Sequence, residues 1–304
     1  MKMQDAAKYE LLYDLPEGEY SRTEVGAQRT KSFRAGDTIE IECSPIVYIP
    51  DGARRERRTR QTSKSQLILN RRKAEDRFRR LCEANFGPGD WVAHPTYDYG
   101  FVDRGFSNNR DTIRAIEAAG YPTNDDEAKR IISNFFRRLR DRVKRKGGDP
   151  KAFKYIYVVE ATRIPRDGDI DPLPPRYHYH MIFSGMDGLI TINDINELWQ
   201  YGYSKAQPVD DRFNGLEGLS NYFVKQRRGK RKWASSKNLK QPEVRVSDRK
   251  ISRRRAAMIA QDVQHNGREI LEALYPGYSC ERVEVKYSDF VAGAYIYARL
   301  RRRK

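Results

Sequence analysis

Two histidines stand one residue apart in the segment Tyr177-His-Tyr-His-Met-Ile-Phe183. The segment is apolar around them and reads as a β-strand, whose successive side chains alternate between faces. His178 and His180 therefore project from one face, while Tyr177, Tyr179 and Met181 point to the other. Two imidazoles side by side on one sheet face can both ligate a metal ion. The competing reading is a pair of half-buried strand histidines that hydrogen-bond to their neighbours. The only other histidines are His94 and His265. Upstream, Glu160 ends the apolar run 155–159. If that run pairs with the histidine strand, Glu160 could complete a site of two imidazoles and one carboxylate; alone, it reads as a strand-end carboxylate in water. Mixed imidazole and oxygen ligation suits Mg²⁺ or Mn²⁺ bound to a phosphate better than structural zinc, which prefers a closed shell of Cys and His.

A third cluster follows in Leu219-Ser-Asn-Tyr222-Phe-Val-Lys225. On a helix, Tyr222 and Lys225 lie three apart and share a face. A phenol is a poor nucleophile at neutral pH. A nearby cation or metal can lower its pKa and offset the charge that develops at phosphorus. Tyr and Lys at this spacing are ordinary in any helix, and gain meaning here by following H-x-H in a very basic chain.

The elements that must position these residues are legible in outline. Residues 154–160 and 177–183 read as strands, joined by a loop over 163–176 that carries four prolines. Ahead of them, Ile131, Ile132, Phe135, Phe136, Leu139 and Val143 form one helical stripe. Asn124 and Glu127 offer a capping box at the start of that helix, and Lys146-Gly147-Gly148 ends it. Residues 91–97 suggest a short strand in which Pro95 forces a bulge or an edge position. Helices are expected over 192–200 and near 219–226. Further out, Ile39, Ile41 and Cys43 alternate with Glu40 and Glu42 as a strand. Residues 66–85 carry a helical stripe, 253–275 suggest a second helix, and Val283, Val285 and Tyr287 a last strand. The sum is an α+β fold, an antiparallel sheet with helices packed on it. The expected division is a basic N-terminal segment (1–88, closed by Gly87-Pro88-Gly89), a central domain (89–228) and a basic C-terminal region (229–304).

Charge narrows the partner. The chain of 304 residues has a formal net charge of +17, with basic residues clustered at 54–60, 71–80, 137–146, 227–232, 253–255 and 299–304. Six such clusters without matching acidic runs point to a polyanion, nucleic acid above all. A membrane surface would need an apolar face or a lipidation signal, and neither is found. Cys43, Cys82 and Cys280 are too scattered for zinc or a disulfide framework and suit a reducing compartment. Residues 1–10 lack the apolar stretch of a secretory signal. The expected setting is the cytoplasm.

H-x-H on a strand followed by Y-x-x-K on a helix resembles the HUH endonucleases. The order, histidines first and tyrosine after, is similar to the rolling-circle replication initiators of plasmids and single-stranded DNA phages. Position 218, four before Tyr222, is Gly, which resembles the single-tyrosine group. The resemblance covers about residues 90–228. It implies a ferredoxin-like core in which His178, His180 and Glu160 hold a divalent metal, Mg²⁺ or Mn²⁺. It further implies that Tyr222 attacks the scissile phosphate and that Lys225 orients the reacting groups or stabilises their charge. Arg176, Arg227 and Arg228 flank these motifs and are the expected DNA contacts. One departure stands out: the family's first motif strand ends in Thr-Tyr, which Thr96-Tyr97 keeps, but His94-Pro95 interrupts its pattern. That leaves His94 as a residue that could approach the DNA or the metal.

The implied partners are single-stranded DNA or an origin hairpin, with a host helicase and polymerase. No G-x-x-x-x-G-K-[ST] is present, so no helicase motif lies in this chain. Two alternatives stay open: a non-catalytic DNA-binding regulator, and a relaxase or transposase with the same nicking chemistry.

Overall fold

The computed structural model describes residues 25–47, 64–100, 109–162, 173–209, 233–287 and 293–303. It divides into two compact units, residues 85–240 and residues 1–84 with 241–304. Each is an antiparallel sheet with helices packed on it, so the fold is α+β.

The two-ended unit contributes β1 (Val25–Ala35), β2 (Thr38–Val47) and α1 (Lys64–Glu83) from the N-terminal side. From the C-terminal side come β8 (Glu243–Ser247), α5 (Arg253–Gln261), α6 (Asn266–Leu274), β9 (Tyr278–Tyr287) and β10 (Ala294–Arg302). The strand order is β8-β1-β2-β10-β9. Strand alternation sends Ile39, Ile41, Cys43, Ile296, Ala298 and Leu300 into one core with Ile259 and Leu271 of the two C-terminal helices. The opposite face carries Glu40, which is 1% exposed and bonded to Arg79 and Arg80 of α1 at 2.5 and 2.6 Å. All three cysteines are buried free thiols. One expectation is corrected: residues 253–275 form two helices rather than one. The Asp262 carboxylate accepts the His265 amide at 3.1 Å, and the Gly267 amide turns back to the Asp262 carbonyl at 2.7 Å. These turn bonds replace the i→i−4 ladder and restart the helix.

Residues 85–240 supply β3 (Trp91–Pro95), α2 (Asn109–Ala118), α3 (Asp125–Arg145) and β4 (Tyr155–Ala161). They continue with β5 (Tyr177–Phe183), α4 (Ile192–Leu198), β6 (Ser204–Pro208) and β7 (Ala234–Ser235). The strand order is β6-β3-β5-β4-β7. α3 forms where its stripe predicts. The Asn124 side chain accepts the amides of Asp126 and Glu127, acids fill the first turn and basic residues the last, matching the helix dipole. The reciprocal half of the cap is displaced by one residue, since the Glu127 carboxylate accepts from the amide and hydroxyl of Thr123. Seven residues of α3, from Ala128 to Val143, are buried against Tyr157, Val159, Tyr177, Tyr179, Met181 and Phe183. At roughly 1.5–3 kcal/mol for each large apolar side chain, this layer dominates the unit's stability. α4 joins the same core through Ile195 and Leu198, behind a capping box of Thr191 and Asp194.

Pro95 takes neither an edge nor a bulge. β3 lies between β5 and β6, and Pro95 pairs with Ser204 at the strand's end. The missing amide interrupts the β3–β5 ladder for two positions, which then resumes in the same register at Thr96 and His178. Gly202, at φ +148°, lets the chain entering β6 press on this segment, because a Cβ there would stand 2.6 Å from the Asp98 amide nitrogen. Among the described residues no helix is long and apolar enough to cross a membrane.

Candidate metal centre

Helices α3 and α4 cover one face of the β6-β3-β5-β4-β7 sheet, and the chemistry sits on the other. Register fixes this. Glu160 pairs directly with His178, and Val158 with His180, so the two histidines and the carboxylate share a face. The continued β3–β5 register sets His94 across from His180, and β6 sets Lys205 beside His94. Buried Val92, Ile156, Val158 and Ile182 surround the group on the same face.

Glu160 Oε2 lies 2.7 Å from His178 Nε2 and 2.6 Å from His180 Nε2. His180 is 4% exposed, and the side chains of His178 and Glu160 are 20% and 13% exposed. The three donor atoms lie within 4.8 Å of one another, close enough to converge on one ion. The donor set is chemically apt: imidazole becomes a ligand by giving up its Nε2 proton, and the carboxylate is one already. This open set of one oxygen and two nitrogens leaves room for waters and a phosphate oxygen, as Mg²⁺ and Mn²⁺ require.

His94 completes the arrangement, and its partner is not readable from the sequence. Its Nδ1 lies 2.7 Å from Nδ1 of His180, with the rings edge to face. One of these nitrogens must carry the proton and the other must accept it. While a neutral His180 donates from Nε2 to Glu160, the shared Nδ1 proton belongs to His94. When His180 offers its Nε2 lone pair, Nδ1 takes the proton and donates to His94. A neutral His94 can serve either arrangement. Its pKa is pushed down to about 4, by burial first and then by His180, Lys205 and His178. Burial likewise lowers the pKa of His180, against the raising effect of Glu160. Both rings are thereby kept in the form a metal site needs.

The strand that carries the histidines is anchored from behind. Tyr179, fully buried between them in sequence, donates its hydroxyl to the Ala128 carbonyl of α3 at 2.9 Å and meets the Tyr97 hydroxyl at 2.7 Å. Trp199 Nε1 donates to the Thr96 carbonyl at 2.9 Å. At the open end of the β4–β5 pair, the Thr162 amide donates to the Arg176 carbonyl at 3.0 Å, and the Arg176 guanidinium lies 5.2 Å from the centre of the Tyr99 ring. Of the residues singled out from the sequence, Glu160, His178 and His180 come together, and Arg176 lies at the start of their strand. Tyr222, Lys225, Arg227 and Arg228 lie outside the described residues.

Residues 119–227 match the family model for replication-associated protein ORF2. The match supports a replication initiator family. It spans about a third of the chain, running from α3 through β6 and including Glu160, His178, His180, Tyr222 and Lys225. No curated protein and no solved structure matches the chain.

Proposed function

We propose that this protein initiates rolling-circle replication by nicking single-stranded origin DNA with Tyr222. The observation that carries the reading is the convergence of Glu160, His178 and His180 on one sheet face, within the stretch that matches replication-associated proteins. A divalent ion held by these three residues supplies a Lewis acid that draws charge from a non-bridging phosphate oxygen. His178 and His180 contribute Nε2 lone pairs, and Glu160 contributes the compensating negative charge. The anchored β5 holds both rings still while the phosphate is received. Tyr222 loses its phenolic proton, and its oxygen attacks phosphorus in line. The P–O3′ bond breaks, and the leaving 3′ oxygen takes up a proton. The products are a 5′-phosphotyrosine and a free 3′ hydroxyl able to prime a polymerase. Lys225, three residues on, faces the charge that develops at phosphorus. Because the phosphotyrosine conserves the bond energy, attack by a later 3′ hydroxyl rejoins strands without ATP. A helicase and polymerase come from the host.

The test uses end-labelled single-stranded origin hairpins with Mn²⁺ or EDTA. The expected result is a protein–DNA adduct that survives denaturation, needs the metal, and is absent in Tyr222→Phe. Tight binding with no adduct on any origin would instead assign the chain to non-catalytic DNA binding.

A further inference from the structure

The two-ended unit contains a cavity of about 300 Å³ at the β1–β8 end of its sheet, on the face that α5 and α6 cover elsewhere. Its floor is polar. Thr30 and Ser32 of β1 pair with Ser247 and Arg245 of β8, and Arg34 pairs with Glu243, so all six side chains face the same way. The turn after β8 brings in one more cation. Ser247 Oγ accepts the amides of Arg249 and Lys250, which folds Lys250 back over the cavity. There its ammonium lies 4.1 Å from the centre of the Tyr275 ring.

Among the described residues that line this basin are three cations, Arg34, Arg245 and Lys250, and a single carboxylate, Glu243. That carboxylate is shared: it lies 2.6 Å from Arg245 and 3.9 Å from Arg34. The charges are not balanced, and Lys250 registers it. Its pKa is lowered, by burial first and then by the repulsion of Arg245 and Arg34. Cations held together in this way, over a floor of hydroxyls, suit an oxyanion able to accept from several donors at once. The rim is open, with the Arg245 side chain 71% and Arg34 45% exposed, so a polymer can pass through without being enclosed.

We propose that this basin binds a phosphate group of a nucleic-acid backbone, as a DNA-binding surface separate from the metal centre. The inference rests on the DNA-binding part of the proposed function and is independent of its nicking chemistry.

The full chain, in EDTA, is titrated against a labelled single-stranded oligonucleotide over a range of salt concentrations. Arg245→Gln with Lys250→Gln lowers the slope of log affinity against log salt by about 0.7 for each phosphate no longer neutralised, and weakens binding several-fold. Glu243→Gln removes the competing carboxylate and tightens binding. Arg114→Gln with Lys129→Gln, which neutralises two exposed charges in the other unit, leaves the slope unchanged. Equal slopes for wild type and the basin variant overturn the proposal. So does uptake of inorganic phosphate in calorimetry that the basin variant loses while its DNA slope stays intact, since the basin then serves a small free anion. Adduct formation with Mn²⁺ is measured on the same variants. If it persists while the slope is unmoved, the basin fails and the nicking reading stands. If wild type does not bind the strand at all, both fall.

Discussion

The two units each place a buried carboxylate on a sheet face and surround it with nitrogen donors, yet the two arrangements do opposite things. Glu40 is met by Arg79 at 2.5 Å, Arg80 at 2.6 Å and Arg299 at 3.3 Å. Guanidinium cannot deprotonate in a protein and has no lone pair to offer. The Glu40 cluster is therefore closed, its charges already answered, and the outer acids Glu42, Glu83 and Glu281 take up the remaining donors. Glu160 is met by two imidazoles, each of which can release its proton and become a ligand. A buried acid ringed by permanent cations fastens a fold; the same acid ringed by groups that titrate can exchange its hydrogen bonds for an ion.

The sharpest way to break this contrast is His180→Ala. It should cut Mn²⁺-dependent adduct formation about a thousandfold, on the order of 4 kcal/mol, with the far-ultraviolet circular dichroism unchanged. An adduct yield within a few-fold of wild type would show the cluster to be structural. Next in size, Glu40→Gln should destabilise its unit by about 3 kcal/mol in urea unfolding, because it leaves arginines buried without their central anion. Adduct formation per folded molecule should hold; a selective loss of adduct would erase the distinction between the two clusters. His94→Ala removes the partner of His180 Nδ1 and should weaken Mn²⁺ binding about 10- to 100-fold by calorimetry. His94→Asn, which restores a polar partner, should recover part of it. The smallest effect concerns a mixed case, Asp194, held by Arg142 at 2.5 Å and Lys146 at 2.6 Å. Burial raises its pKa, but bonds from Lys146, Thr191 and Arg142 outweigh this and hold it well below the usual carboxylate range. Its stabilisation is thus present above about pH 4 and lost as pH falls through the lowered folded value. Asp194→Asn should cost about 1–2 kcal/mol at neutral pH and flatten the acid limb of a stability–pH curve.

What could be read in the sequence was whatever leaves a local mark. The period of α3 stands in its apolar stripe, its cap in Asn124, and the shared face of His178 and His180 in their spacing. Glu160 was recoverable because a charge closing an apolar strand asks for a partner. His94 was not, because its partner lies 86 residues away and is chosen by a β3–β5 register to which no short motif points. The same holds for Pro95, whose tolerance between two strands depends on a ladder that skips it. The break at residues 262–265 was hidden because side-chain capping by Asp262 competes with a helical stripe that runs straight through it. That both ends of the chain share one sheet was equally invisible, since strand pairing has no sequence-local cause.

That shared sheet has a consequence for how the chain is made. β2 sits at the sheet's centre and pairs with β10, whose first residue follows the last of β2 by about 250 positions. At synthesis rates of roughly 5–20 residues per second, β2 waits on the order of 10–50 s for its neighbour. Residues 85–240 emerge in that interval and can complete their own layer first. Meanwhile the β1–β2 hairpin carries an unpaired edge that invites association with other nascent chains. Birth order therefore runs from the metal-centre layer outward, with the two-ended unit closing last.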